Sequence, residues 1–124
     1  MFQRLTTLCA ALFSLLTLVL LLAPAIIYWL FGIEQNPLGD FMSKRAAMLF
    51  VGLATLCWLA RTSQTTEVQR LVAAAIGLSM GGMAFLGVYE FIRGNAGVGI
   101  WLAIIAETTI ATLYARSWLA HSMP

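Results

Sequence analysis

Glu107 is the side chain most able to do chemistry, because it stands inside the apolar run Ile104-Ile105-Ala106-Glu107-Thr108-Thr109-Ile110. An acidic side chain at the centre of a bilayer costs about 2.5–3.5 kcal/mol on insertion scales, so such residues turn inward and mark either a partner or a function. Gly99, Ala103, Glu107, Ala111 and Ala115 recur every four residues, which puts them on one helical stripe. Small residues on such a stripe let a second helix approach closely. Glu107 is therefore expected to face the interior of a bundle. One reading is a proton or cation site, or a ligand contact. The other is a structural glutamic acid hydrogen-bonded to a hydroxyl or a backbone carbonyl. Arg93 and Arg116 lie toward opposite ends of that segment, and without a cation at its depth the carboxyl is expected to hold its proton at pH 7.

Ala73, Gly77 and Gly81 form a second small-residue ridge, with Gly82 and Ser79 beside it. Packing is the expected role of the ridge. Ser79, or a glycine carbonyl nearby, is the expected partner for Glu107. Arg45 and Glu90 form a third constellation. They lie at matching depth on segments that run in opposite directions, so a structural ion pair across two helices is expected. Asp40 and Glu34 compete for Arg45, and Arg93 competes for Glu90 at i,i+3, where a pair is worth only a few tenths of a kcal/mol.

The remaining chemistry-bearing residues are scattered. Cys9 and Cys57 lie in apolar runs, outside any CxxC and away from histidine, and are expected to be buried free thiols. The single histidine, His121, is in the tail. The sequence has no HExxH, Walker-type loop or paired carboxylates on one helix. No catalytic set, metal site or cofactor is read from it. The six Met and four Trp suit lipid-facing and interfacial positions better than a cofactor box.

The elements that must position these residues follow from composition. Of 124 residues, 61% are hydrophobic and 10% charged, against about 45–50% and about 25% in soluble domains. A soluble chain this short could not bury so much apolar surface. A soluble globular enzyme, a disordered tail and a nucleic-acid binder are thereby excluded, and an integral membrane protein remains. The net charge of +2 implies no anionic partner beyond lipid headgroups.

Four apolar segments, about 5–31, 41–60, 68–92 and 98–115, are each long enough to span, since a spanning helix needs roughly 20 residues. In lipid only helices and closed barrels satisfy the backbone, and the runs are too long and continuous for barrel strands. The expected fold is all-α: one domain, 1–124, folded as an antiparallel bundle of four transmembrane helices. Ala23-Pro24-Ala25 resembles a signal-peptide cleavage site. The apolar run nevertheless continues through Ile26 to Phe31, so the segment is read as a retained helix kinked at Pro24. Gly32 is read as its end. Asp40 or Ser43 is expected to cap the second helix.

Four crossings put both termini on one side. That side holds Arg4, Arg61, Arg70 and Arg116, and the other holds Lys44, Arg45 and Arg93. The excess of one positive residue predicts cytoplasmic termini.

From Pro24 onward the chain resembles a bacterial family of four-helix integral membrane proteins known only as a domain of unknown function. The resemblance rests on Leu30-Phe31-Gly32, Asn36-Pro37, Phe41 to Arg45, Trp58-Leu59-Ala60-Arg61, Gly87-Val88-Tyr89-Glu90-Phe91, Arg93-Gly94 and Glu107. It implies the fold and little more, and no activity. The expected role is a structural or accessory subunit, or an assembly partner, within a larger membrane complex or homo-oligomer. A small proton-coupled transporter using Glu107 is the alternative. It is similar to the small multidrug resistance proteins in helix number and length, but their glutamate is in the first helix, and this first segment has no acid. A membrane-embedded protein binding lipid or quinone is the third reading.

Overall fold

The computed structural model describes residues 2–122 and is helical throughout, with α1 (Phe2–Leu22), α2 (Pro24–Phe31), α3 (Pro37–Ala60), α4 (Thr66–Ile92) and α5 (Ile100–Ser122). Three of these, α1, α3 and α4, are long and apolar enough to cross a membrane. α5 is 23 residues long and is diluted by Glu107, Arg116 and the hydroxyls of Thr108, Thr109 and Thr112.

The first apolar run is two helices, not one kinked helix. Ala23 leaves helical geometry at φ −144°, ψ 59°, and Pro24 opens α2 as its first residue. A proline lacks the N–H that would continue α1, and it fits the first helical turn without loss. α2 ends at Gly32, whose φ of 66° is left-handed and favours glycine.

The start of α3 also differs from expectation. Neither Asp40 nor Ser43 caps it. Asn36 does, its side-chain oxygen accepting from the Gly39 N–H at 2.7 Å, with Pro37 in the first turn. Asp40 lies within that first turn, where a negative charge suits the helix dipole.

The helices pair as two antiparallel hairpins. On α1 and α3, the Phe13 and Phe50 rings lie 5.6 Å apart and the Thr17 hydroxyl reaches the Ala47 carbonyl at 3.4 Å. On α4 and α5, Gly77 faces Tyr114 and Gly87 faces Ile104. In both pairs the numbering rises on one helix as it falls on the other.

Two apolar clusters hold the hairpins together. The larger gathers Phe2, Cys9, Phe13, Cys57, Ile76 and Tyr114 from α1, α3, α4 and α5. The smaller joins Ala84, Ile100 and Ile104, with Phe31, Val88 and Phe91 against it. At the far end α2 is strapped to the loop before α5. The Gly97 N–H donates to the Phe31 carbonyl at 2.5 Å. A Cβ on Gly99 would fall 1.8 Å from the Leu30 carbonyl oxygen, so only glycine permits that approach.

Outward faces are apolar. Leu49 is 73% exposed, Leu78 81% and Phe85 71%. Large side chains left in this way on several helices need an apolar surrounding, as the composition requires.

Candidate functional site

On α5 the positions Ile100, Ala103, Ile104, Glu107, Ile110, Ala111, Tyr114 and Ser117 are all buried or half-buried, and they recur at spacings of three and four. This is the face turned to α4. Glu107 lies on it and is half-buried. Above it, Ile104 packs against Gly87, and below it, Ala111 faces Gly81. Glu107 thus stands between Ile104 of the smaller cluster and Ile110 and Ala111, which pack against the larger. Among the described residues no side chain or backbone group hydrogen-bonds to it.

Ser79 is not its partner. It is exposed on the outer side of α4 and donates to its own helix, at the Ala75 carbonyl, 2.8 Å away. Serine does this routinely in apolar helices, because its hydroxyl then needs no other acceptor. Gly77 and Gly81 lie along the α4–α5 contact, where a Cβ on Gly77 would meet the Tyr114 Cβ at 3.4 Å and one on Gly81 the Ala111 Cβ at 3.9 Å. Ala103 is half-buried on the facing stripe. Ala115 and Gly82 are outside the contact, both exposed.

Arg45 and Glu90 are not brought together. The Glu90 carboxylate accepts from the Asn95 side-chain amide at 2.6 Å, and the Arg45 guanidinium lies 5.9 Å from the Phe41 ring centroid, one turn back on its own helix. Each charge is met locally. The turn after α4 folds Asn95 back on Glu90, with Gly94 left-handed at φ 81°. Arg93 likewise donates to the Tyr89 hydroxyl at 2.9 Å.

The polar centre that the sequence reading missed lies near the termini. The Thr6 and Tyr114 hydroxyls are 3.0 Å apart and buried. Cys9 and Cys57 are free and buried and belong with Tyr114 to the same buried cluster. Three helices, α1, α3 and α5, meet at this point. A legible signal existed: Thr6 and Tyr114 are hydroxyls inside apolar helices, and a buried hydroxyl there must find a partner. What the sequence did not show was which hydroxyl would meet which. The side chain of His121 lies outside the described ones, as do Met123 and Pro124.

Chemically, the arrangement offers one carboxyl inside the α4–α5 face and one hydroxyl–thiol centre. Among the described residues no group of three or more His, Cys, Asp or Glu is placed to hold a metal ion. No family model, curated protein or solved structure matches the chain.

Proposed function

We propose that this chain is a small integral membrane protein of the bacterial inner membrane that crosses four times, has cytoplasmic termini and serves as an accessory subunit or assembly partner. The fourth crossing is α5. Its 23 residues reach about 35 Å at 1.5 Å each, more than the roughly 30 Å of a hydrocarbon core. It lies against α4 from Gly87 to Gly77. The positive-residue balance, four against three, supports cytoplasmic termini.

The observation that carries the assembly role is an open groove of about 600 Å³ on the outer side of α1 and α3, lined by Thr7, Ala11, Ser14, Ala54, Thr55 and Trp58 among others. Without a hydrophobic force between helices in lipid, close approach over small residues and hydroxyl contacts are what associate them. The groove fits one transmembrane helix of a partner. Ala11 is exposed within it, so Ala11→Phe fills the groove without entering the core. The expected result on native gels of solubilised membranes is a large assembly containing the chain, and release of the chain by Ala11→Phe. Migration of the parent at its own mass would overturn the reading.

A second reading is a proton-coupled transporter, favoured by the half-buried position of Glu107 on the inner stripe. Glu107→Gln keeps shape and hydrogen-bonding capacity and removes the titratable proton. In proteoliposomes, proton release on adding a cationic ligand, lost in Glu107→Gln, would support it. Identical responses from both proteins would remove it.

A further inference from the structure

Two concavities on the α4–α5 hairpin run into one another. One, about 420 Å³, is lined by Thr66, Glu67, Arg70 and Leu71, and it shares Ala74 and Trp118 with the other. The other, about 560 Å³, continues past Gly77 and Leu78 on α4 and Ala111 and Ala115 on α5. Together they make a single furrow, charged at one end and apolar along the rest.

Arg70 is the charged end. Its guanidinium stands 4.9 Å from the Trp118 ring centroid, a cation–aromatic contact that fixes the side chain. Its Nε is shielded from solvent and has no hydrogen-bond partner among the described residues. Glu67, one turn earlier, is exposed on the rim and forms no ion pair with Arg70 among the described residues. Arg70 itself lines the furrow, and a phosphate presents acceptors in the geometry a guanidinium matches.

Depth and length agree with this chemistry. Arg70 is in the second turn of α4, which begins at Thr66, so it lies at headgroup level. From Arg70 to Leu78 the furrow extends roughly 12 Å at 1.5 Å per residue, most of a leaflet when the hydrocarbon core is about 30 Å thick.

We propose that this furrow binds one phospholipid, its phosphate on Arg70 and one acyl chain along Ala74, Gly77 and Ala111. A polar head joined to an apolar tail is the pattern of an amphiphile. A partner helix would leave the Arg70 donors unmet. Arg4 and Arg61 lie at the same end of the helices and favour an anionic lipid.

The test uses the full chain in mild detergent, with native mass spectrometry during titration by phosphatidylglycerol. The variants are Arg70→Gln, Ala74→Phe and Arg116→Gln. Ala74 is exposed, so its substitution fills the furrow and leaves the core alone. Arg116 is exposed on α5, outside the furrow, and controls for bulk charge. The expected result is one retained lipid in the parent and in Arg116→Gln. Arg70→Gln should bind about tenfold more weakly or worse, the size of one lost charge-assisted hydrogen bond, and Ala74→Phe should weaken retention as much. A diacylglycerol with the same chains should not be retained. Equal loss in Arg116→Gln, unchanged retention in Ala74→Phe, or equal retention of the diacylglycerol would each overturn the proposal. So would a dimer mass abolished by Ala74→Phe, which would assign the furrow to a second copy. Circular dichroism melts check folding. If Arg70→Gln fails to fold, the comparison of Ala74→Phe with the parent decides the outcome.

Discussion

The hydroxyls of Thr6 and Tyr114, 108 positions apart in the chain, meet at 3.0 Å in a buried contact near the chain termini. α1 and α5 have few other points of contact, so this bond and the edge-on packing of Phe2 on Tyr114, at 6.3 Å, are what fasten the first helix to the last. Thr6→Val and Tyr114→Phe are each expected to destabilise by about 1–3 kcal/mol, because each leaves a buried hydroxyl without its partner. The double variant should recover part of that loss. Double-mutant cycles on hydrogen bonds between membrane helices average about 0.6 kcal/mol, so a coupling between about 0.5 and 1.7 kcal/mol is the expected outcome in a reversible unfolding assay. Strict additivity would show that the two hydroxyls do not act together.

Gly99 and Gly52 should respond to alanine with opposite signs. A Cβ at Gly99 meets the Leu30 carbonyl oxygen at 1.8 Å, whereas one at Gly52 meets nothing within 4 Å. Gly99→Ala must push α2 off the start of α5, at a cost of about 1–3 kcal/mol, typical of overpacking. Gly52→Ala, inside α3, should gain about 0.5–1 kcal/mol from better helix propensity. Thermal melts in detergent measure both. A Gly99→Ala protein that melts with the parent would mean that the strap between α2 and the α5 loop contributes nothing.

Cys9 and Cys57 should be silent to thiol reagents in the folded protein. Both are buried, at 1% and 0% exposure, inside apolar helices, and reactivity requires an accessible thiolate. A membrane-permeant maleimide should label neither until denaturant is added, and should then label both. Rapid labelling of one in the native state would show that α1 and α3 open at that level.

Substituting Arg45 and Glu90 should give additive effects. Glu90 is held by Asn95 and Arg45 lies over Phe41, so the pair shares no bond. Arg45→Gln with Glu90→Gln should cost the sum of the single changes within about 0.5 kcal/mol. Coupling is expected instead between Glu90→Gln and Asn95→Ala.

The existence of the helices was legible in residue type alone, because in lipid each backbone N–H and C=O must be satisfied within its own segment. That demand is local, so the apolar runs 41–60 and 68–92 mark α3 and α4, two helices long and apolar enough to cross a membrane. Local chemistry also marked the end of α2 at Gly32. The break at Pro24 was legible as a disturbance, but not as a full stop between two helices. Asp40 or Ser43 was the expected cap of α3, but Pro37 opens the helix, so the cap position falls to Asn36 before it.

Only the tertiary structure decided which faces meet. Apolar helix surfaces in a membrane are nearly equivalent to one another and to lipid, so hydrophobicity ranks no pairing above another. Sequence spacing could place Glu107 on the stripe it shares with Ala111. It could not show that this stripe would be divided between two apolar clusters, with Ile104 in one and Ala111 against the other. Nor could matched depth decide Arg45 against Glu90, because a partner five positions along the chain, Asn95, reaches Glu90 without crossing between helices. Long-range contacts such as Thr6 with Tyr114 depend on the rotation and crossing of whole helices. Those are set by packing shape at Gly77, Gly87 and Gly99, which no residue states by itself.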